Sequence, residues 1–282
     1  MFRIYIDVGH GGVETSTVIK YGEHTLIERD VNLVMATALQ DELKQYIGVE
    51  TLLSRQSNDG SVQWDAIGID ASAGRCREWQ KPEYGDPVKL LISCHWNGGG
   101  EQSGYQIIHS VKQPAALSFA IGKEFDGIGV IKSSIYSRQT GGGIWTSTED
   151  QVKAPTLEID YYGIIRETIT NDTQSIIMEF GFLDSKEDVG TWLWDINKGE
   201  YRMDKIRQLV EAVARGIAKY FTLYKVEVKP EPVPVPIPEP KPTWKGIQKL
   251  SATFDRIEGD KAVIEVVING HIRMIDIPVK EA

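Results

Sequence analysis

The chain has 282 residues, enough for one large domain and an appendage, and its 41% hydrophobic and 25% charged make-up suits a globular protein with a real core. The 31 basic and 40 acidic residues leave a net charge of −9, which argues against a partner held by nucleic-acid phosphates. No run of about 18 apolar residues occurs, so no membrane-spanning helix is expected. Two cysteines, Cys76 and Cys94, give neither a disulfide framework nor a CxxC metal pair.

The opening MFRIYIDVGHGG alternates apolar and polar residues and lacks a basic region followed by an apolar one. It reads as a first β-strand and not as a secretory signal, so synthesis in the cytoplasm is the expectation. Strand-like segments follow at VETLLS, KLLISCH, GYQIIHS, GIIRE and SIIMEF, each short, rich in branched residues and bounded by Gly, Asp or Pro. Between them, residues 29–46 carry apolar side chains at Val31, Val34, Met35, Ala38, Leu39 and Leu43, a helical stripe. Residues 115–125 and 204–221 behave similarly. The alternation predicts an α/β fold over residues 1–222, with a mixed central sheet of about six strands and helices on both faces. In such sheets, sites gather beyond the carboxyl ends of strands.

Composition changes sharply near residue 223. Seven of the twelve prolines stand at alternate positions from Pro230 to Pro242. Each lacks an N–H and fixes φ, so residues 223–243 read as a semi-rigid polyproline II linker, about 3.1 Å per residue and about 40 Å over the proline run. Residues 244–282 follow with turn signals at Glu258-Gly259-Asp260 and Asn269-Gly270 between AVIEVVI and IRMIDIPV. That pattern predicts a small all-β meander of three strands. It is marginal alone, so binding to a surface or homo-oligomer formation is its expected use. Linker and module are each charge-balanced, which leaves the whole −9 on residues 1–222.

Three strand-like segments end in a residue able to hold a metal or move a proton: His10, His95 and Glu179. Glycines follow both histidines and let the backbone turn sharply. Glu28 stands at the start of the first helical stripe, where the helix dipole favours a carboxylate. Two His and one carboxylate suit a catalytic zinc that keeps a position for water, and a second carboxylate would serve as base. The residues alone do not choose this set, since His24, His109 and Glu23 offer other pairings.

The motifs DVGHGG, ERDVNLVMATALQDEL, SRQSND, ISCHWNGG and IIMEFGFLDS resemble, in order, those of the zinc-dependent N-acetylmuramoyl-L-alanine amidases of type 3, over roughly residues 1–222. The resemblance implies a phosphorylase/hydrolase-like α/β fold, Zn2+ held by His10, Glu28 and His95, and Glu179 as the catalytic carboxylate. It implies peptidoglycan as substrate, cleaved at the amide between N-acetylmuramic acid and L-alanine. With no signal sequence, the expected setting is a phage endolysin that acts on the wall after release. An autolysin of the same activity, a zinc peptidase acting on stem peptides and a non-catalytic wall-binding protein are the alternatives.

Val8 stands where that family usually has Pro, and Trp96 where a small residue is common. Arg55 and Asp59 fit a family segment, and a surface ion pair explains them equally well. Arg75 or Arg77 matches a family Arg. Asp7 reads either as a partner orienting an imidazole or as a turn residue. Cys94 should face away from His95 and be inert, because neighbours on a strand point to opposite faces. The Gly-rich stretch 127–159 is expected to shape a substrate groove.

Overall fold

The computed structural model describes residues 1–58, 74, 76, 77, 79–81, 83, 85–100, 102–149, 159–170, 172–225, 250–258, 261–268 and 271–278. The chain divides into two compact units, Met1–Glu227 and Val228–Ala282.

In the first unit, β1 (Phe2–Val8), β4 (Val49–Leu53), β5 (Val88–Asn97), β6 (Tyr105–His109), β7 (Lys132–Arg138), β8 (Ile144–Thr146) and β9 (Gln174–Phe182) form one seven-stranded mixed sheet in the order β4-β1-β5-β9-β6-β7-β8. Strands β4, β1, β5 and β9 run parallel. β6 is antiparallel to β9, β7 is parallel to β6, and β8 turns back on β7. β1, β5 and β9 are nearly continuous buried runs, as strands covered on both faces must be. A separate hairpin pairs β2 (Val18–Tyr21) with β3 (His24–Ile27), and β10 (Trp194–Asp195) pairs with β11 (Glu200–Tyr201).

One sheet face carries the larger core. Ile4, Ile6, Leu90, Ile92, Cys94, Trp96, Ile176, Met178 and Phe180 point into it, every second residue of their strands. Against them pack α1 (Glu28–Leu43), α2 (Ala116–Gly127) and α4 (Met203–Phe221). α4 is strongly amphipathic, burying Ile206, Leu209, Val210, Val213 and Ile217 at helical spacing. A Cβ at Gly216 would lie 2.5 Å from the Ile121 backbone, so a glycine is what lets α4 approach α2. The opposite face holds Tyr5, Leu91, Ile108 and Ile177 under α3 (Gly163–Thr168).

The mixed sheet flanked by helices is the expected one, with seven strands in place of about six. Two differences account for the count. GIIRE is helical, because Ile164, Ile165 and Thr168 bury together on one side of a helical turn; a short branched run does not separate strand from helix by itself. β7 and β8 come from the Gly-rich stretch, whose residues 150–158 lie outside those described.

Val8 adds an N–H where a proline would have none, and Ser54 Oγ accepts it at 2.8 Å. Trp96 is fully buried in the larger core, over Gly181. Cys94 is buried there too, and burial pushes its thiol far up. Leu223 and Tyr224 still bond to the first unit, and Lys225 pairs with Glu42 at 2.7 Å. Most of the expected linker, including the whole proline run, lies outside the described residues.

The second unit contains β12 (Leu250–Glu258), β13 (Lys261–Ile268) and β14 (His271–Pro278), an antiparallel sheet in that order. Its expected turn residues 259, 260, 269 and 270 lie outside those described. Ile272 and Met274, alternate residues of β14, are exposed.

Candidate metal centre

His10, Glu28 and His95 come from three elements. β1 ends at Val8, and the chain then turns through Gly9 into His10, which takes a left-handed φ of 60°. The guanidinium of Arg55 holds that turn, donating from Nε to the His10 carbonyl at 2.7 Å and from Nη2 to the carbonyls of Gly9 and Arg29. Asn32 Nδ2 adds a bond to the Gly9 carbonyl at 3.1 Å. Arg55 is thus buried and holds the backbone of the turn; Asp59, its expected ion-pair partner, lies outside the described residues. Gly9 is required by contact: a Cβ there would lie 2.3 Å from the His95 ring.

Glu28 is the first residue of α1 and is almost fully buried. Its Oε1 lies 3.1 Å from His10 Nε2 and 3.1 Å from His95 Nδ1. The two imidazoles stand edge to face, with centroids 4.9 Å apart. The three ligand atoms all lie within 4.8 Å of one another. A tetrahedron with bonds of about 2.0–2.1 Å has edges of about 3.3 Å, so the set is close to the spacing a zinc ion needs. His10 Nδ1 lies 2.7 Å from Glu14 Oε1, which leaves Nε2 as the inward nitrogen.

Glu179 is the parallel partner of His95 across β9 and β5, on the same face. Its Oε2 is buried and has no hydrogen-bond partner among the described residues. A buried oxygen left unpaired is costly unless a substrate, water or ion completes it.

The electrostatics favour a cation. Burial presses the His10 and His95 imidazoles toward neutrality, but Glu28 beside both outweighs it; His10 is raised and His95 reaches about 9, with Glu179 and Asp7 adding to the latter. Burial raises Glu28, and the two histidines overcome that and hold it well below the usual carboxylate range. Burial lifts Glu179 to about 7, with the Glu28 charge assisting and His95 and His10 opposing.

The structure therefore brings together the expected four residues and separates the rival pairings. His24 sits on β3 against Trp194, with centroids 5.9 Å apart. His109 is buried, with Nε2 at 2.6 Å from Ser147 Oγ. Glu23 is an exposed turn residue. Asp7 accepts from Ser93 Oγ at 2.5 Å. Arg77 bonds the Glu167 carbonyl at 3.1 Å, and Arg75 lies outside the described residues. Glu14, Asn32 and the caging role of Arg55 are what the sequence reading missed. Only the adjacency of Glu14 to the GHGG turn hinted at the first.

The mixed sheet thus carries, at its strand ends, a His–Glu–His cluster that could hold a metal ion, with a spare carboxylate beside it, the equipment a hydrolase can use. The chain belongs to the N-acetylmuramoyl-L-alanine amidase family (Amidase_3), which it matches over residues 4–219, and so falls among the amidases of peptidoglycan. No curated protein sequence matches it. Among solved structures it is similar to the catalytic domain of CwlV, an N-acetylmuramoyl-L-alanine amidase from Bacillus (Paenibacillus) polymyxa var. colistinus, at 19% identity and a TM-score of 0.57, covering 79% of this chain and 100% of that one. An N-acetylmuramoyl-L-alanine amidase from Clostridium difficile 630 gives 18% identity and 0.55, over 78% and 97% of the two chains. The CwlD amidase from Clostridioides difficile, solved with the GerS lipoprotein, gives 17% and 0.52, over 79% and 99%. At these identities the likeness is one of fold.

Proposed function

We propose that the chain hydrolyses the amide between the lactyl group of N-acetylmuramic acid and the L-alanine of the stem peptide, using Zn2+ held by His10, Glu28 and His95, with Glu179 moving the proton. The observation that carries this reading is the convergence of the three ligand atoms within 4.8 Å beside the unpaired Glu179 oxygen.

Zinc in such a site supplies a Lewis acid that lowers the pKa of a coordinated water to about 7 and polarises the scissile carbonyl. The chain's own residues do the rest. Glu14 orients the His10 ring, and Arg55 fixes the backbone that carries it. One carboxylate and two neutral imidazoles leave a divalent site net positive, which suits a developing oxyanion. Glu179 takes the proton of the attacking water as the C–O bond forms. It then delivers that proton to the alanine nitrogen as the C–N bond breaks, leaving a lactyl carboxylic acid and a free amine. This chemistry is common to a phage endolysin and a bacterial autolysin.

The exposed Ile272 and Met274 on one strand of the small sheet support a role for the second unit in attachment to the wall or in self-association. The amidase reading is tested by end-group analysis of digested purified peptidoglycan. It requires free L-alanine amino termini and no new reducing sugars. New reducing ends would make the protein a glycosidase, and cuts confined to the stems would make it a peptidase.

A further inference from the structure

The row of polar residues that contains the catalytic carboxylate does not stop at Glu179. Gln106 on β6 is the direct antiparallel partner of Glu179, and Ser134 on β7 is in turn the partner of Gln106. Register partners project from the same face, so His95, Glu179, Gln106 and Ser134 form a line across four strands. Beyond Glu179 this line floors an open cleft of about 310 Å³. Gln102 and Asn97 stand at its near side, and Ile144 and Thr146 of the edge strand β8 close the far side.

The cleft is built, and its described lining is uncharged. Gln106 is buried; its Oε1 accepts from Asn97 Nδ2 at 3.0 Å and its Nε2 donates to Ser133 Oγ at 3.2 Å, which fixes both amides. Asn97 Oδ1 accepts the Gly98 N–H at 2.8 Å, so one Asn97 N–H is left for a ligand. No charged side chain lines the cleft among the described residues, although the chain as a whole carries −9.

This lining discriminates between the two arms of the substrate. A stem peptide carries free carboxylates, which would find no cation among the described lining residues and would lose hydration at a cost. An N-acetylated sugar is neutral and presents amide and hydroxyl groups to pair with Asn97, Gln102, Ser134 and Thr146. Its C–H face suits the exposed aliphatic surface of Ile144. The volume lies at the low end of the roughly 300–1,000 Å³ of small-molecule sites, a size for a sugar ring and not for an extended peptide.

We propose that the cleft between β6 and β8 is the saccharide subsite, so that the glycan lies over Gln106 and Thr146 and the stem peptide leaves Glu179 in the other direction. The proposal rests on the amidase reading for its substrate, but its binding test does not need turnover. The zinc-loaded full chain is titrated by amide-resonance NMR with two probes. One is the peptide-free disaccharide of N-acetylglucosamine and N-acetylmuramic acid with its lactyl carboxyl capped as the dimethylamide, so that it is neutral, and the other is the free stem tripeptide. Thr146→Trp, which fills the cleft from an exposed position, and Gln102→Ala should each weaken disaccharide binding about tenfold or more and leave tripeptide binding unchanged. Thr146→Ser should restore it. An undetectable disaccharide interaction in the unmodified chain, equal loss of both probes, or loss of the tripeptide alone would overturn the assignment. Hydrolysis of an intact muropeptide is scored separately. A chain that binds sugar here but cleaves nothing retires the amidase reading and keeps the cleft, while a chain that cleaves normally with unchanged sugar binding in Thr146→Trp retires the cleft.

Discussion

His95 and Glu179 are register partners on adjacent parallel strands, so an imidazole of the candidate metal site and the spare carboxylate leave one face of the sheet side by side. Their separation is set by the inter-strand spacing of about 4.8 Å and not by a loop. The same pleat sends Cys94 and Met178 into the core behind them. The two residues are therefore held by the most buried part of the molecule, the arrangement a preorganised site needs.

Glu179→Gln separates binding from chemistry. The amide is nearly isosteric and cannot take a proton, so metal content should stay at the unmodified level. Turnover should fall about 10²–10⁴-fold, the usual worth of a positioned base. Metal analysis and muropeptide turnover on the same sample make the check, and unchanged turnover would remove Glu179 from the reaction.

Protons and zinc compete for the same lone pairs. In the metal-free protein His95 is raised from 6.5 to about 9, so its stabilising contribution is complete below pH about 6.5 and is lost as pH rises toward 9. Glu28 is lowered from 4.5, so its contribution is present above that value and is lost as pH falls through its depressed pKa. Metal-free protein should thus lose stability between pH about 6.5 and 9. Zinc affinity should rise over that range by about tenfold per pH unit for each proton displaced. Denaturant melts with and without chelator across these pH values test both slopes.

Gly9→Ala puts a methyl group 2.3 Å from the His95 ring, and the imidazole must move. Loss of most zinc binding and turnover is expected, with far-UV dichroism unchanged. An alanine variant that binds zinc normally would show that the close approach is not needed.

Arg55→Lys keeps the charge and loses the planar fork that serves the carbonyls of Gly9, His10 and Arg29. The Gly9 carbonyl keeps Asn32, but a His10 carbonyl left without its donor costs about 1–3 kcal/mol, and the left-handed His10 loses its support. A lower denaturant midpoint and weaker zinc retention should appear together.

The strands that carry the site were legible because each is a long buried run ended by a glycine turn, as at Val8-Gly9-His10 and His95 to Gly98. α1 and α4 were legible from their apolar period. GIIRE was misread because packing under the sheet, not branching, decides its conformation. β7 and β8 were hidden by Gly and Ser on a half-exposed edge, where no apolar alternation is required. The four site residues stood out only through the ordered motifs. Arg55 and Glu14 act through atoms that meet after folding, a relation that spacing along the chain does not encode.

Ending the chain after Glu227 keeps Lys225 on Glu42 and removes the second unit. Turnover of a soluble muropeptide should persist near the full rate, while binding to sedimentable walls should fall through loss of a tethered contact. Collapse of soluble turnover in a folded, zinc-loaded truncate would make the module part of the active unit.

The central claim is a zinc ion between His10, Glu28 and His95, and an anomalous difference map collected at the zinc edge from crystals of the metal-loaded chain tests it most directly. One strong peak per chain is expected, bonded to His10 Nε2, His95 Nδ1 and a Glu28 oxygen, the two nitrogens each already lying 3.1 Å from Glu28 Oε1. A peak held by other residues, or stoichiometric zinc that leaves these three atoms bonded only to each other, would contradict it.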